Sequence, residues 1–449
     1  MDSATAAARS VVVGLYRAGV ATADPEPAVF AAITRRALRP AGVVAIGKAA
    51  AAMARGADRA LGEAVGGVIV SGAGAGDGPP RWRHERGSHP TPDTASVRAA
   101  SAVLDYVDAL RAGDAPLLVL LSGGASALFE LPAPTLAIGD VAATIRVLEH
   151  AGAPIDEINL VRRHLSAVKG GRLAARARRP VVTLAVSDVV GDDPATLGSG
   201  PTVADTSTPS DALALLAGRG VLAAIPEAVR RHLAAGDVGS GPRPAFPVEF
   251  EVVVARTAAM EGAARAAAAS GMRCETVAAP LTGPAGPAAR AFIDEAARHG
   301  GGVVLGCGET TVEVVGPGRG GRNQQAALEA ACAMSGGQPR VFLAAGTDGV
   351  DGPTEHAGAV VDAGTVDRGR RRGLDAAAHL AANNSAAYLE ATNDVIDVGP
   401  TGTNVGDLWI VLQGSSPERA IPSWISCSTH AGLTRRVEAG MVTAKGDSA

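Results

Sequence analysis

The sequence predicts two α/β domains built on largely parallel sheets. Three features carry that reading: a recurring order of short β-branched run, Gly or Ser turn and Ala-rich helix; a Gly/Pro-rich break past the middle; and a length of 449 residues, too great for one ordinary core. Continuous apolar strands need cover on both faces, and the intervening helices supply it.

Taken in order, MDSATAAARSVVVGLYRAGV at the N-terminus reads as an amphipathic helix; its acids and arginines lack the order of a signal peptide. AGVVAIG (41–47) is a strand that leads into the helix KAAAAMARGADRAL. APLLVLLSGG (115–124) leads into ASALFEL, and PVVTLAVSD (180–188) into a Gly/Pro loop. Periodicity is lost around AAGDVGSGPRPAFP (234–247), which places a boundary between a first domain, about 1–240, and a second, about 248–413. Within the second, RVFLAAGTDG (340–349) and GDLWIVLQG read as strands. Residues 414–449 show no sustained period and read as a loosely attached tail.

Composition narrows the function classes. Apolar residues at 47% with 19% charge describe a soluble globular protein. A net charge of −4 gives no global reason to expect nucleic acid, which needs a clustered basic face. No apolar run approaches the roughly 20 residues that span a bilayer. The four cysteines, Cys274, Cys307, Cys332 and Cys427, have no CxxC spacing, so neither a zinc site nor a disulfide framework is expected and a reducing cytoplasm fits. Oligomeric state leaves no readable signal.

In parallel sheets ligands bind beyond the carboxyl ends of strands, so the loops after strands carry the chemistry. GVVAIGK (42–48) fits P-loop spacing, but Ala49 stands where Ser or Thr must bind magnesium and the intervening residues are a strand. Lys48 remains, a cation at a helix N-terminus where the dipole opposes it; a solvated lysine and an anion-binding one both fit. Ser122-Gly123-Gly124 and Ser126 suit close approach of a phosphate to backbone amides, or a simple cap. Asp188 comes directly off a strand, as an N-cap or a magnesium-bearing carboxylate, and the turn Gly198-Ser199-Gly200 follows. Lys169-Gly170-Gly171-Arg172 interrupts a basic helix as an anion site would. GPGRGGRNQQ, from Gly316, matches G-x-G-x-x-G but lacks the acid about 20 residues on; with Arg319 and Arg322 it is an anion site or a plain flexible turn. In VFLAAGTDGVDGPTEHAG (341–358) the residues alternating after Asp348 are Val350 and Gly352, which excludes an EF-hand. Asp348 leaves the sheet between Thr347 and Gly349; Asp351 and Glu355 are weaker candidates in a good turn sequence, and His356 reads as structural.

Together these stretches resemble the glycerate 2-kinase family, whose C-terminal part is the MOFRL domain. The ordered set is GKAAAAMA (47–54), SHPTPD (88–93), LSGGASAL (121–128), HLSAVKGGRLA (164–174), SDVVGDDPATLGSGPT (187–202), GETTVEV (308–314), GRGGRNQ (318–324), GTDGVDGPTEHAGAVVD (346–362) and GPTGTNVGDLWIVL (399–412). The sequence departs from the family pattern at Ala125, Pro284, Cys307 and Gly406. The resemblance implies a Rossmann-like first domain, a mixed α/β second one, and an active site in the cleft between them. It implies transfer of phosphate from ATP to the 2-hydroxyl of D-glycerate, with Lys48 and Arg322 essential. Asp188 and Asp348 are expected to be catalytic and to orient Mg2+. Ser122, Gly123, Gly124, Ser126, Lys169, Gly198, Ser199, Gly200, Glu309, Asn323, Thr403 and Asn404 are expected to bind nucleotide or substrate. Its rivals are an oxidoreductase acting on hydroxypyruvate and a metabolite-binding relative without turnover.

Overall fold

The computed structural model describes residues 2–74, 76–236, 243–337 and 340–414. The expected tail, with Cys427, and the centre of the Gly/Pro-rich break lie outside the described residues. Twelve strands among them form two six-stranded sheets.

The first sheet is parallel throughout. Its strands are β1 (Gly42–Ile46), β2 (Gly67–Ser71), β3 (Arg83–Arg86), β4 (Leu117–Ser122), β5 (Val181–Val186) and β6 (Val248–Val254), in the order β3-β2-β1-β4-β5-β6. This is the doubly wound order of dinucleotide-binding folds, and the direction of winding reverses between β1 and β4. Alternate residues point to opposite faces of a strand. Val43 and Ala45 of β1 therefore join one buried cluster, while Val44 and Ile46 join another. Cover on both faces explains why these strands read as unbroken apolar runs.

The second sheet holds β7 (Cys274–Thr276), β8 (Gly302–Gly308), β9 (Arg340–Gly346), β10 (Gly358–Asp362), β11 (Val395–Ile396) and β12 (Asp407–Gln413), ordered β11-β10-β9-β12-β8-β7. It corrects the expectation of a largely parallel sheet: only β7 and β8 pair in parallel, and β12 lies antiparallel between β9 and β8. That insertion pairs Asp407, the first residue of β12, with Gly346 and Gly308, the last residues of its neighbours. Trp409 of β12 packs edge-on against Phe342 and Phe292, with centroids 5.5 and 5.8 Å away.

The expected domain limits need two corrections. Strand β6, assigned to the second domain, extends the first sheet beside β5. The helix Ser3–Thr22, assigned to the first domain, covers the second sheet: Tyr16 donates to the Gly346 carbonyl at 2.7 Å, and Arg9 pairs with Asp362 and Asp394 at 2.6 and 2.7 Å. Gly19 permits this, since a Cβ there would lie 2.5 Å from the Ala259 carbonyl oxygen of the helix Ala258–Ala269. The chain thus crosses between sheets near Ala23 and again after β6. One apolar cluster, running from Val43 and Leu118 through Val11 and Leu15 to Leu343 and Ile410, joins the two halves.

Candidate active site

The reversal point of the first sheet is built by two interlocked turns. Gly47 follows β1 at φ 125°, and a Cβ there would lie 2.2 Å from the Ser122 hydroxyl at the end of β4. The Lys48 amide donates to the Gly123 carbonyl at 2.9 Å, and the Ala49 amide to the Ser122 hydroxyl at 3.1 Å. Lys48 is thereby fixed at the carboxyl edge, just before the helix Ala50–Leu61. Its ammonium reaches the other domain and donates to Asp348 Oδ2 at 2.8 Å. Burial works to lower the Lys48 amine, but the charge and hydrogen bond of Asp348 hold it above its ordinary value.

Asp348 is held from its own side. The Thr347 hydroxyl donates to the Gly406 carbonyl at 2.6 Å and accepts from the Val405 amide at 2.9 Å. Gly349 adopts φ 85°, and a Cβ there would lie 2.0 Å from the Gly399 carbonyl oxygen, so only glycine completes the turn.

Beyond β5, Asp188 accepts from the Asn404 amide at 2.8 Å, a second link across the domains. A Cβ on Gly123 would lie 1.8 Å from Asp188 Oδ2, so the missing side chain is what admits this carboxylate. Withdrawal from bulk water pushes Asp188 up to about 7; the Glu309 charge adds to the rise, and Lys48 and Asn404 oppose it. Glu309, just past β8, is raised likewise, first by burial.

Arg322 opens the helix Arg322–Met334. Its fork holds both oxygens of Asp407, at 2.7 and 2.9 Å, and its remaining nitrogen lies 2.7 Å from Glu309 Oε1. Asp407 also accepts from Asn323 Nδ2 at 2.9 Å, and the Trp409 indole donates to the Asn323 oxygen at 2.9 Å. Burial alone would lower Arg322, but Asp407 and Glu309 keep it firmly cationic. Two cations and four carboxylates therefore meet where the sheets' ligand edges face each other. Such an arrangement can balance a polyanion and take up or release a proton.

Comparison with known proteins agrees with this architecture. Residues 11–234 match a family described as "Domain of unknown function (DUF4147)", and residues 302–407 match the MOFRL family. A D-glycerate 2-kinase of Thermotoga maritima is 35% identical over 90% of this chain and 98% of its own. The chain belongs to the glycerate kinase family. A crystal structure titled glycerate kinase, from the same organism, superposes with a TM-score of 0.77 at 35% identity over 90% of this chain and 99% of that one. An Agrobacterium vitis relative, 38% identical over 91% of this chain and 95% of its own, is named a putative hydroxypyruvate reductase. At Gly406, which departs from the glycerate kinase pattern, φ is 83° and a Cβ would lie 2.7 Å from the Gly308 carbonyl oxygen, so glycine fits this backbone without adjustment.

Among the expected site residues, Lys48, Gly123, Gly124, Asp188, Glu309, Arg322, Asp348 and Asn404 come together in the cleft. Several others use their polar groups within the protein, which corrects the expectation for their side chains. Ser122 is fully buried and caps Ala49. Lys169, also fully buried, donates to the Phe129 carbonyl at 2.7 Å and lies 3.2 Å from Glu130. The Ser199 hydroxyl, in a turn with Gly198 and Gly200 at positive φ, bonds Ser126 at 2.9 Å and Asn159 at 2.8 Å. Asn323 orients Asp407, and Thr403 donates to the Ala23 carbonyl at 2.6 Å. Asp351 caps the helix at Asn323 and Gln324. His356 bridges Asp397 and Glu390.

Two residues at this site were not among the expected ones. Asp407 was hidden because nothing local reveals an antiparallel strand inserted between two parallel ones. His89 lies in SHPTPD (88–93), which has no periodicity to aim it. Its ring and the Lys48 stem meet over Gly124, where a Cβ would lie 3.3 Å from His89 Cδ2 and 3.1 Å from Lys48 Cγ.

Proposed function

We propose that this protein is an ATP-dependent D-glycerate 2-kinase, releasing ADP and 2-phosphoglycerate. The observation that carries the reading is the cross-domain cluster of Lys48, Asp348, Asp188, Arg322 and Glu309 at the reversal point of the first sheet. The 35% identity to a D-glycerate 2-kinase over nearly the whole chain supports the choice of substrates.

Phosphoryl transfer needs positioning and charge balance more than covalent chemistry. Lys48 and Arg322 balance the charge of the transferring group or hold the substrate carboxylate. Asp188, with an affinity for protons near neutrality, accepts the proton of the 2-hydroxyl as it attacks. The turn at Gly198 packs beside the end of the Gly123-Gly124 turn, a Cβ on Gly198 lying 3.1 Å from the Ala125 Cβ, and the two glycine turns together are assigned to nucleotide phosphates.

Magnesium prefers one or two carboxylates with phosphate oxygens and waters. Among the described residues no group of three or more His, Cys, Asp or Glu is placed to hold a metal ion. Asp348 would hold Mg2+, directly or through water, and the ion would neutralise phosphate charge, leaving Asp188 to face the substrate hydroxyl.

The reductase name of the Agrobacterium relative needs a nicotinamide site. Cβ atoms on Gly316 and Gly318 would both lie 2.4 Å from the Ala382 carbonyl oxygen, so the chain's own backbone takes up the space these glycines leave. A cytoplasmic setting is supported by the free cysteines Cys274, Cys307 and Cys332, and no described helix is long and apolar enough to cross a membrane.

A coupled assay for ADP with D-glycerate, and phosphorus NMR of the product, tests the proposal. ADP release with a phosphate on the 2-oxygen is expected; NADH oxidation by hydroxypyruvate without ATP would replace the reading.

A further inference from the structure

His89 stands at the cleft beside Lys48, and among the described residues none hydrogen-bonds its imidazole. Its loop is nonetheless pinned. Gly87 has no room for a side chain, since a Cβ there would lie 2.1 Å from the Leu128 carbonyl oxygen, and its amide donates to the Ser71 carbonyl at 3.0 Å. The Ser88 amide donates to the Ser96 hydroxyl at 3.0 Å, tying the same loop to the helix Thr94–Ala109. A polar ring placed this firmly, exposed at the cleft and with no partner for its nitrogens among the described residues, is suited to a partner from outside the chain.

The surroundings define that partner. His89 Nε2 would lie 3.5 Å from a Cβ on Gly124, so the bare glycine leaves a slot between the ring and the Lys48 stem. The ring is open to the cleft, yet the protein crowded around it holds the imidazole down at about 4, helped by Lys48 and Arg322 and opposed by Asp348. The ring is thus neutral at physiological pH. A neutral imidazole offers one donor and one acceptor and no charge of its own.

We propose that His89 contacts ligand, donating a hydrogen bond from its imidazole to an oxygen of the anion held by Lys48. The shared ligand chemistry is an oxyanion, from the carboxylate of the 2-hydroxy acid or from a phosphoryl group of ATP. Only the names of these two ligands rest on the kinase reading.

The test uses His89→Phe, which keeps a ring without a donor, and His89→Gln, whose amide restores a donor near Nε2. Each is titrated with D-glycerate alone and with ATP alone, alongside steady-state kinetics and melting temperature. His89→Phe is expected to weaken one ligand by about 10–100-fold with an unchanged melting temperature, and His89→Gln to recover most of the loss. A rise confined to D-glycerate assigns the carboxylate, and one confined to ATP assigns the phosphoryl oxygen. Should His89→Phe not fold, His89→Asn, too short to reach, must show the same loss. Unchanged binding of both ligands, or a glutamine variant no better than phenylalanine, overturns the proposal. Wild-type protein that binds D-glycerate but releases no ADP would overturn the kinase reading while leaving the His89 test intact.

Discussion

Lys48 and Asp348 are 300 positions apart in the chain and meet at 2.8 Å across the two domains. Each comes directly off a central strand of its own sheet, so the ion pair marks where the two ligand edges coincide. Removing either charge should therefore impair the reaction more than the fold. Lys48→Ala and Arg322→Ala should each lower kcat/KM by about 10²–10³-fold, the usual cost of one preorganised charge. Asp348→Asn keeps size and hydrogen bonding; it should lower turnover and raise the Mg2+ concentration needed for half-maximal rate. A variant with wild-type turnover and magnesium dependence would remove Asp348 from the mechanism.

Gly123→Ala is a test of space rather than charge. Its new Cβ would lie 1.8 Å from Asp188 Oδ2 and 2.3 Å from Asn404 Nδ2, so one of them must move. Displacing a reacting group by about 1 Å costs on the order of 10²-fold in rate. We expect that loss in kcat with the melting temperature nearly unchanged. Wild-type kinetics would mean that Asp188 is not positioned by this contact.

Asp407 tests how firmly Arg322 must be held. Its carboxylate is buried and receives the guanidinium fork and the Asn323 amide together. Asp407→Ala strands a partly buried cation and should cost about 3–5 kcal/mol in urea unfolding. A double-mutant cycle with Arg322→Leu should show coupling of at least about 1 kcal/mol. Additive effects would show that the fork is incidental.

Much of this was legible in the chain itself, for a local reason. β1, β4, β5 and β9 are short runs with cover on both faces; glycine turns after β1, β4 and β9 place Lys48, Gly123 and Asp348, and β5 runs directly into Asp188. Long-range choices left no such trace. β6 reads like a new domain because a Gly/Pro break precedes it, yet it pairs with β5. The helix Ser3–Thr22 shows an apolar face but not which sheet it covers. Lys169 looked like an anion ligand because its partner, Glu130, lies in another segment and no spacing rule links them.

The proton acceptor gives the sharpest prediction, because activity and stability should move in opposite directions with pH. Asp188 has its ordinary value, 3.8, in the unfolded chain and about 7 in the folded one. A carboxyl raised on folding contributes stability that is fully present below pH 3.8 and is lost as pH rises through about 7. Asp351, also pushed up to about 7 by burial, acts in the same direction. Melting temperature should therefore fall between pH 3.8 and about pH 7, and level off above it, by the titration of these two groups. A general base works in its ionised form, so kcat should rise over the same range and level off above about pH 7. Asp188→Asn should lower kcat by about 10²–10⁴-fold, flatten the rise and remove its share of the stability loss. The nucleotide's own titration is the same in both proteins, so the difference between their profiles belongs to Asp188. If the two kcat profiles run parallel, another group takes the proton.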